Sequence, residues 1–379
     1  MDVSRKVYLS KKTDFLVILI ITAAFLCVCA GVLAMPEISI EGAKNGLKYS
    51  FGVLIPSLFP FMFLSDFAVE YGISSKLSKI LAPFSEKLLY LPSEAGVTVL
   101  LSLIGGFPVG AVGINGLLKQ NKITQSQANR MLCFCVNSGP AFMISVVGAE
   151  LYNNILLGAV LLAAQILSSL AIGITLGAFA RRKEPLQRSI TSGSNSHEFA
   201  HSFIHSCRNA CSATINLCAL VVLFSCFSKI LLTALRCNDD STLGVTINAV
   251  LEVTSGCNFL AGSGMPIYVT SLAIGWGGLC VHFQVFSSAE LLRINKLHFC
   301  LARVVNGTLS ALITFFITKF IIVETEVFSN IAETASSFTS STFYGSLALF
   351  CASVIFLIFM NKYIKGIIKY NSSDTKEAT

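Results

Sequence analysis

Apolar runs long enough to cross a bilayer alternate with short polar stretches along this chain. A polar segment, residues 1–14, carries Arg5, Lys6, Lys11 and Lys12 and precedes the first run, Phe15–Met35. Six more follow: Tyr49–Val69, Met131–Ala149, Ile155–Ala180, His205–Leu235, His298–Val323 and Thr342–Met360. Each is close to or above the ~20 residues an α-helix needs to cross a hydrocarbon core of about 30 Å. Val32 and Ala34 offer small residues for signal-peptide cleavage, but the run is long for a signal and reads as a first transmembrane helix, 15–35.

Four stretches do not fit a simple span. Gly72–Leu91 is amphipathic, Ser241–Gly264 is mixed, and two runs, Ala95–Leu118 and Met265–Ser288, are broken at Gly-Gly. The breaks read LSLIGGFPVGAVGINGLL and LAIGWGGLCVHFQVFSSA. Each half of a broken run is too short to cross, so a re-entrant helical hairpin is expected over 95–118 and again over 265–288. The polar segment 181–204 divides the chain into halves, 46–180 and 205–360, that repeat one order of parts. From Gly105-Gly106 it is 24 residues to Arg130, and from Gly277-Gly278 it is 25 to Arg303. Two matched, Gly-interrupted segments are the mark of an inverted-repeat transporter with its site at the breaks. A polar tail, 361–379, closes the sequence.

Composition excludes a soluble globular domain: AVILMFWYC make up 54% and DEKR only 12%, against about 25% charged in ordinary soluble proteins. With 29 Phe, 27 Gly and one Trp, the pattern is an all-α, polytopic integral membrane protein rather than a β-barrel of alternating ten-residue segments. The net charge of +7 sits in short clusters beside the apolar runs, where it sets topology, so nucleic acid is not an expected partner and the lipid bilayer is. Thirteen Cys without a CxxC, mostly inside apolar runs, read as small buried hydrophobes rather than a disulfide framework.

With the N-terminus inside, the inner stretches of the first half hold four basic residues before Phe15, three in 71–94, three in 119–130 and five in 181–208. The outer stretches hold only Lys44 and Lys48, a bias that requires the first Gly-Gly run to turn back. The second half conflicts. Seven spans and two hairpins leave Lys362, Lys365, Lys369 and Lys376 outside and Glu324, Glu326 and Glu333 inside. Either a segment within Ser241–Gly264 crosses, or the first half overrules the distal charges.

The blocks GLKYSFGVLIPSLFPFMFLSDF (46–67), GGFPVGA (105–111), NSGPAFMISVVG (137–148), LEVTSGC (251–257) and GGLCVHFQVFS (277–287) resemble the YlbJ-like sporulation integral membrane proteins. These carry the nucleoside-recognition Gate domain, similar to the hairpin-containing core of concentrative nucleoside transporters. The resemblance covers about 15–360 and implies two inverted Gate-type repeats, each with a re-entrant hairpin. It also implies a multi-pass protein of the outer forespore membrane in an endospore-forming bacterium, carrying dipicolinate into the developing spore. Other sporulation membrane proteins are then expected partners.

A carrier's site is expected where unwound backbone and helix N-termini offer free N–H groups to an anion. Gly105, Gly106 and Pro108, with Gly277 and Gly278, are the expected tips; close helix packing is the alternative use of such residues. Asn137 and Ser138, before Pro140, form a polar break inside an apolar run, with Thr254, Ser255 and Asn258 as the counterpart; interhelical hydrogen bonds would explain both equally well. Arg303 has the fork a dicarboxylate needs, or snorkels from the end of a helix. His282 and Gln284 lie two apart and do not share a helix face, so at most one faces the site. Glu252 is an intramembrane carboxylate, whereas Asp66 is placed to snorkel.

His197, His201 and His205 lie at i, i+4 and i+8, one face of a helix with metal-ligand spacing, but behind a Ser/Gly-rich loop they read as a titratable interfacial helix rather than a metal site. No P-loop or catalytic triad order stands out, so no cofactor, metal or enzymatic activity is expected. The expected function is alternating-access transport of a small anion, and the resemblance implies that the anion is dipicolinate. A nucleoside-type carrier, and a non-transporting assembly protein of the forespore membrane, are the alternatives.

Overall fold

A computed structural model describes Thr22, Leu26 and residues 29–183, 198–239, 241–289 and 291–325. The segments 1–14 and 361–379, the run Thr342–Met360, His197, and most of 15–35 and 181–204 lie outside the described residues. Residues 1–318 form one compact unit and 319–379 a second; all packing described here is within the first.

Among the described residues every regular element is helical. The first, α1 (Pro36–Glu70), contains a π-helical turn at Ser50–Leu54. It is followed by α2 (Ile73–Ala82), α3 (Ala95–Ile104), α4 (Phe107–Lys119), α5 (Gln125–Leu132), the π-wound α6 (Ala141–Leu151) and α7 (Ile155–Lys183). The second half is α8 (Phe199–Ala234), α9 (Thr242–Leu251), α10 (Val253–Gly262), α11 (Ile267–Trp276), α12 (Gly278–Ser288) and α13 (Lys296–Thr325). Among the described residues, five stretches are long and apolar enough to cross a membrane: α1, α7, α8, α11 with α12, and α13.

Small residues let the long helices approach. A Cβ on Gly42 would lie 2.8 Å from Cys226 Cα, and one on Gly46 2.7 Å from Val222 Cα, so α1 packs antiparallel on α8 through a G-xxx-G face. Gly275 meets Gly307 in the same way, where α11 crosses α13. Ser271 Oγ lies 2.8 Å from both Ser310 Oγ and Thr314 Oγ1, so hydroxyls satisfy one another inside that contact.

Helices α3 and α4 fold back on each other at Gly105-Gly106. Gly110 stands against Ser102 and Gly113 against Thr98, which is antiparallel pairing. The chain then unwinds over 133–139 between α5 and α6. This break lies against the pair: a Cβ on Gly110 would come within 1.8 Å of the Cys135 carbonyl oxygen.

The second half has the same order of parts, but not where the Gly-Gly spacing places it. Its antiparallel pair is α9 and α10, which turn at Glu252 with Gly256 against Ala249. Helices α11 and α12 do not pack along each other; together they form one apolar stretch, Ile267–Ser288, interrupted at Gly277-Gly278. Residues 265–288, where a helical hairpin is expected, are thus not folded back on themselves, and the antiparallel helix pair of this half lies in the mixed segment before them. The two Gly-Gly pairs are not equivalent: one turns an antiparallel helix pair, the other interrupts an apolar stretch.

An amide ladder joins the halves. Gln125 donates to Leu291 O (3.0 Å) and accepts from Arg293 N (3.1 Å), while Asn129 donates to Arg293 O (3.0 Å) and accepts from Asn295 N (2.9 Å). Two side-chain amides on successive turns of α5 thus pair with the extended segment before α13 as a strand would.

Gly110→Ala drives a Cβ into backbone that cannot rotate away, and is expected to cost about 1–3 kcal/mol, lowering the detergent melting midpoint. Gly52 has nothing within 4 Å of its Cβ position, so Gly52→Ala is expected to leave the midpoint unchanged or slightly raised. Equal midpoints for the two variants would contradict the packing of α4 on the break.

Candidate functional site

Each hairpin tip abuts the break of its own half. Gly106 has φ +94° and ψ 173°, a conformation essentially reserved for glycine. A Cβ on Gly139 would lie 3.1 Å from Ile104 O and 3.3 Å from Gly106 N, so the first tip rests on the α5–α6 break. In the second half, a Cβ on Gly278 (φ +72°) would lie 3.0 Å from Leu251 O and 3.1 Å from Val253 N. That places the second tip against the α11–α12 break.

Between the tips lies a cavity of about 30 Å³. Its walls include Gly106 and Phe107 from the first tip, Ser138 and Gly139 from one break, Glu252 and Thr254 from the second tip, and Gln284 from α12. Ser57 of α1 and Leu217 of α8 complete it. An aromatic ring needs roughly 150 Å³, so in this conformation the space suits water and not a ring.

Of the residues predicted from sequence, Gly106, Ser138, Thr254 and Gln284 line this cavity. Gly105 and Pro108 shape the first tip, as C-cap of α3 and early residue of α4. Gly277 and Gly278 form the second break. Asn258 is exposed on α10, away from the cavity. Ser255 presents its N–H to Glu252 Oε2 at 2.7 Å.

Asn137 is fully buried behind the first break. Its Nδ2 donates to Phe134 O (2.8 Å), and its Oδ1 accepts from Gln165 (3.3 Å) and from Ser169. Ser168 continues the network to Asn306 Oδ1 at 2.6 Å, tying α7 to α13. His282 faces away from the cavity: its Nδ1 lies 2.8 Å from Gly278 O, and its ring packs 4.3 Å from Trp276 and 5.1 Å from Phe299.

Arg303 is completely buried, rather than snorkelling from a helix end. Its Nη1 donates to Val136 O in the first break, and its Nε to Trp276 O at 3.4 Å in the second. Nη2 has no partner among the described residues. The Phe107 ring centroid lies 5.9 Å from Cζ, within cation–π range. Arg303 therefore does not line the cavity but stands behind Phe107. Arg130 lies elsewhere, donating to Tyr90 O.

Glu252 is the charged residue of the cavity wall. Extended backbone at Glu252 (φ −142°, ψ 119°) turns its carboxylate onto the start of α10, where it accepts from Thr254 N at 2.9 Å and Ser255 N at 2.7 Å. The N-terminus of α10 is thus occupied by the chain's own carboxylate.

A second cavity, of about 330 Å³, opens among Asp66, Glu70, Asn115, Lys119, His205 and Asn209. Asp66 is buried and accepts from Asn209 Nδ2 at 2.9 Å, rather than snorkelling. His205 Nδ1 lies 3.8 Å from Glu70 Oε1, and the His201 and His205 rings stack at 6.0 Å. Among the described residues no His, Cys, Asp and Glu group is arranged to hold a metal ion. The polar stripe His205, Asn209, Ser212 and Asn216, on one face of an apolar helix, is the signal for this cavity that sequence reasoning passed over.

No protein-family model matches the chain, and no solved structure matches it. It is similar to the sporulation integral membrane protein YlbJ of Bacillus subtilis (strain 168), with 25% identity over 338 residues, 79% of this chain and 83% of that protein. The chain is YlbJ-like. With its apolar helices, this similarity makes it a multi-pass membrane protein.

Removing the guanidinium leaves the two break carbonyls without a donor. Arg303→Met is expected to cost about 2–3 kcal/mol and lower the melting midpoint in detergent, whereas Asn258→Ala leaves it unchanged. A midpoint for Arg303→Met equal to wild type would remove Arg303 from the support of the breaks.

Proposed function

We propose that this protein is an alternating-access carrier of a small planar anion, dipicolinate, across the outer forespore membrane of a sporulating bacterium. The observation that carries the reading is the convergence of both tips, the α5–α6 break and α12 on one cavity. Unwound backbone inside a membrane is tolerated where it is buried in protein or lines a cavity, and in carriers it marks the solute site. The similarity to a sporulation integral membrane protein supports the setting, and the sequence resemblance supplies the solute. The carrier does no chemistry on its solute and uses no cofactor or metal.

In this reading α3–α4 and α9–α10 are re-entrant hairpins of two inverted Gate-type repeats, entering from opposite faces. Helices α5–α6 and α11–α12 then cross as broken spans. Counting Ile267–Ser288 as a crossing adds an eighth span to the seven runs of the sequence. The C-terminal lysines then fall on the inner side with the N-terminus, as do Arg293 and Lys296, and the charge conflict of the second half disappears. The Gln125 and Asn129 ladder to residues 291–295 fits, since both segments then lie at the inner face.

Glu252 supports a second reading. A carboxylate on the wall suits a neutral solute with hydroxyl or N–H donors, such as a nucleoside, better than an anion. Dipicolinate uptake into proteoliposomes distinguishes the two. Saturable uptake that uridine does not inhibit is the expected result, with Gln284→Ala raising KM about tenfold, the loss of one hydrogen bond of ~1.4 kcal/mol. Inhibition by uridine and not by dicarboxylates would favour the nucleoside carrier. Folded protein that takes up neither solute would favour the assembly protein.

A further inference from the structure

Arg303 holds a full charge in the interior and forms no ion pair among the described residues. Two of its donors serve the breaks, and Nη2 has no partner. Between this guanidinium and the cavity stands one ring, that of Phe107. The ring lies 5.9 Å from Cζ, it forms part of the cavity wall, and its Cε1 is 3.6 Å from the Cβ position of Gly277.

We propose that Arg303 is the cation that receives a carboxylate of the transported solute, and that Phe107 is the shutter that covers it in this conformation. The proposal rests on the carrier reading. Phe107 is the first residue of α4, directly after the Gly106 tip, so displacement of the first hairpin carries the ring off Arg303. The second hairpin need not move. Glu252 stays on the N-terminus of α10, where its charge is held by two N–H groups, while the exposed guanidinium supplies the charge of opposite sign.

The geometry also fixes how much of the solute Arg303 reads. With Nε–H and one Nη1–H engaged by Trp276 O and Val136 O, the donors left are one on Nη1 and two on Nη2, enough for a single carboxylate group. Arg303 therefore recognises one carboxylate on a ring. Pyridine-2-carboxylate engages it as pyridine-2,6-dicarboxylate does.

The test is phenylglyoxal modification of the purified full-length protein in detergent, read residue by residue by mass spectrometry. In wild type, Arg303 is expected to react slowly. In Phe107→Ala it is expected to react at least tenfold faster while Arg130 keeps its wild-type rate, and both pyridine carboxylates, but not uridine, slow the reaction. An unchanged Arg303 rate overturns the shutter. A faster rate that neither pyridine carboxylate slows overturns the carboxylate site, even if dipicolinate uptake by wild type succeeds. Equal acceleration at Arg130 marks unfolding, and Phe107→Leu is then scored by the same criteria. Protection of Arg303 without any uptake would sustain the site and sink the carrier reading instead.

Discussion

Two helix breaks inside an apolar protein leave backbone carbonyls outside the helical hydrogen-bond ladder, and one guanidinium serves a carbonyl from each. Each unsatisfied carbonyl in such an environment costs several kcal/mol, so a break persists only where a donor is built in. Arg303 reaches Val136 O and Trp276 O, which belong to different halves of the chain. Arg suits this because its fork spreads rigid donors that cannot lose their charge. A Lys would bring a single ammonium point on a flexible stem. The breaks, the tips resting on them and the cavity between the tips all depend on this contact.

Glycine does the complementary work. Gly139 and Gly278 let backbone from a hairpin tip lie directly on a break, and Gly110 admits the Cys135 carbonyl to the face of α4. With backbone against backbone at these points, no side-chain layer exists to absorb relative movement. A tip that moves must therefore move as a unit with its short helices, and interiors packed in this way shift between discrete arrangements rather than deform. That is the mechanical basis for treating Phe107 as part of a rigid tip.

The all-helical fold and the positions of the apolar runs were legible from periodicity and length, because hydrophobic thickness sets a minimum run and charge sets sidedness. The second hairpin was not legible. Gly277-Gly278 looks like Gly105-Gly106 in sequence, yet a positive-φ Gly both turns a chain back and offsets a continuing one; what distinguishes them is packing, Gly110 on Ser102 and Gly113 on Thr98 across the first pair and no such pairing of α11 with α12 across the second. The site was legible in part. Gly106, Ser138, Thr254 and Gln284 announce themselves as polar or flexible positions in apolar runs, whereas Phe107 is one Phe among 29 and carries no local signal. Asn137 and Arg303 were visible as polar residues at membrane depth, but sequence does not say whether such a group faces a cavity or holds a helix.

The placing of the two interior charges explains how a site with a carboxylate in its wall is compatible with an anionic solute. Glu252 is neutralised locally, because two N–H groups and the N-terminal dipole of α10 provide partial positive charge within hydrogen-bonding distance. Arg303 is neutralised only by two carbonyls, which are partial charges at the ends of helix breaks, and it retains unused donors. The carboxylate's field is thus largely spent on the backbone, and the guanidinium's is not. In a low dielectric that imbalance favours an incoming negative charge as soon as the Phe107 ring no longer separates it from Arg303. In the proposed carrier, a closed tip hides the imbalance and an open one presents it, which would couple solute affinity to hairpin position through one aromatic ring.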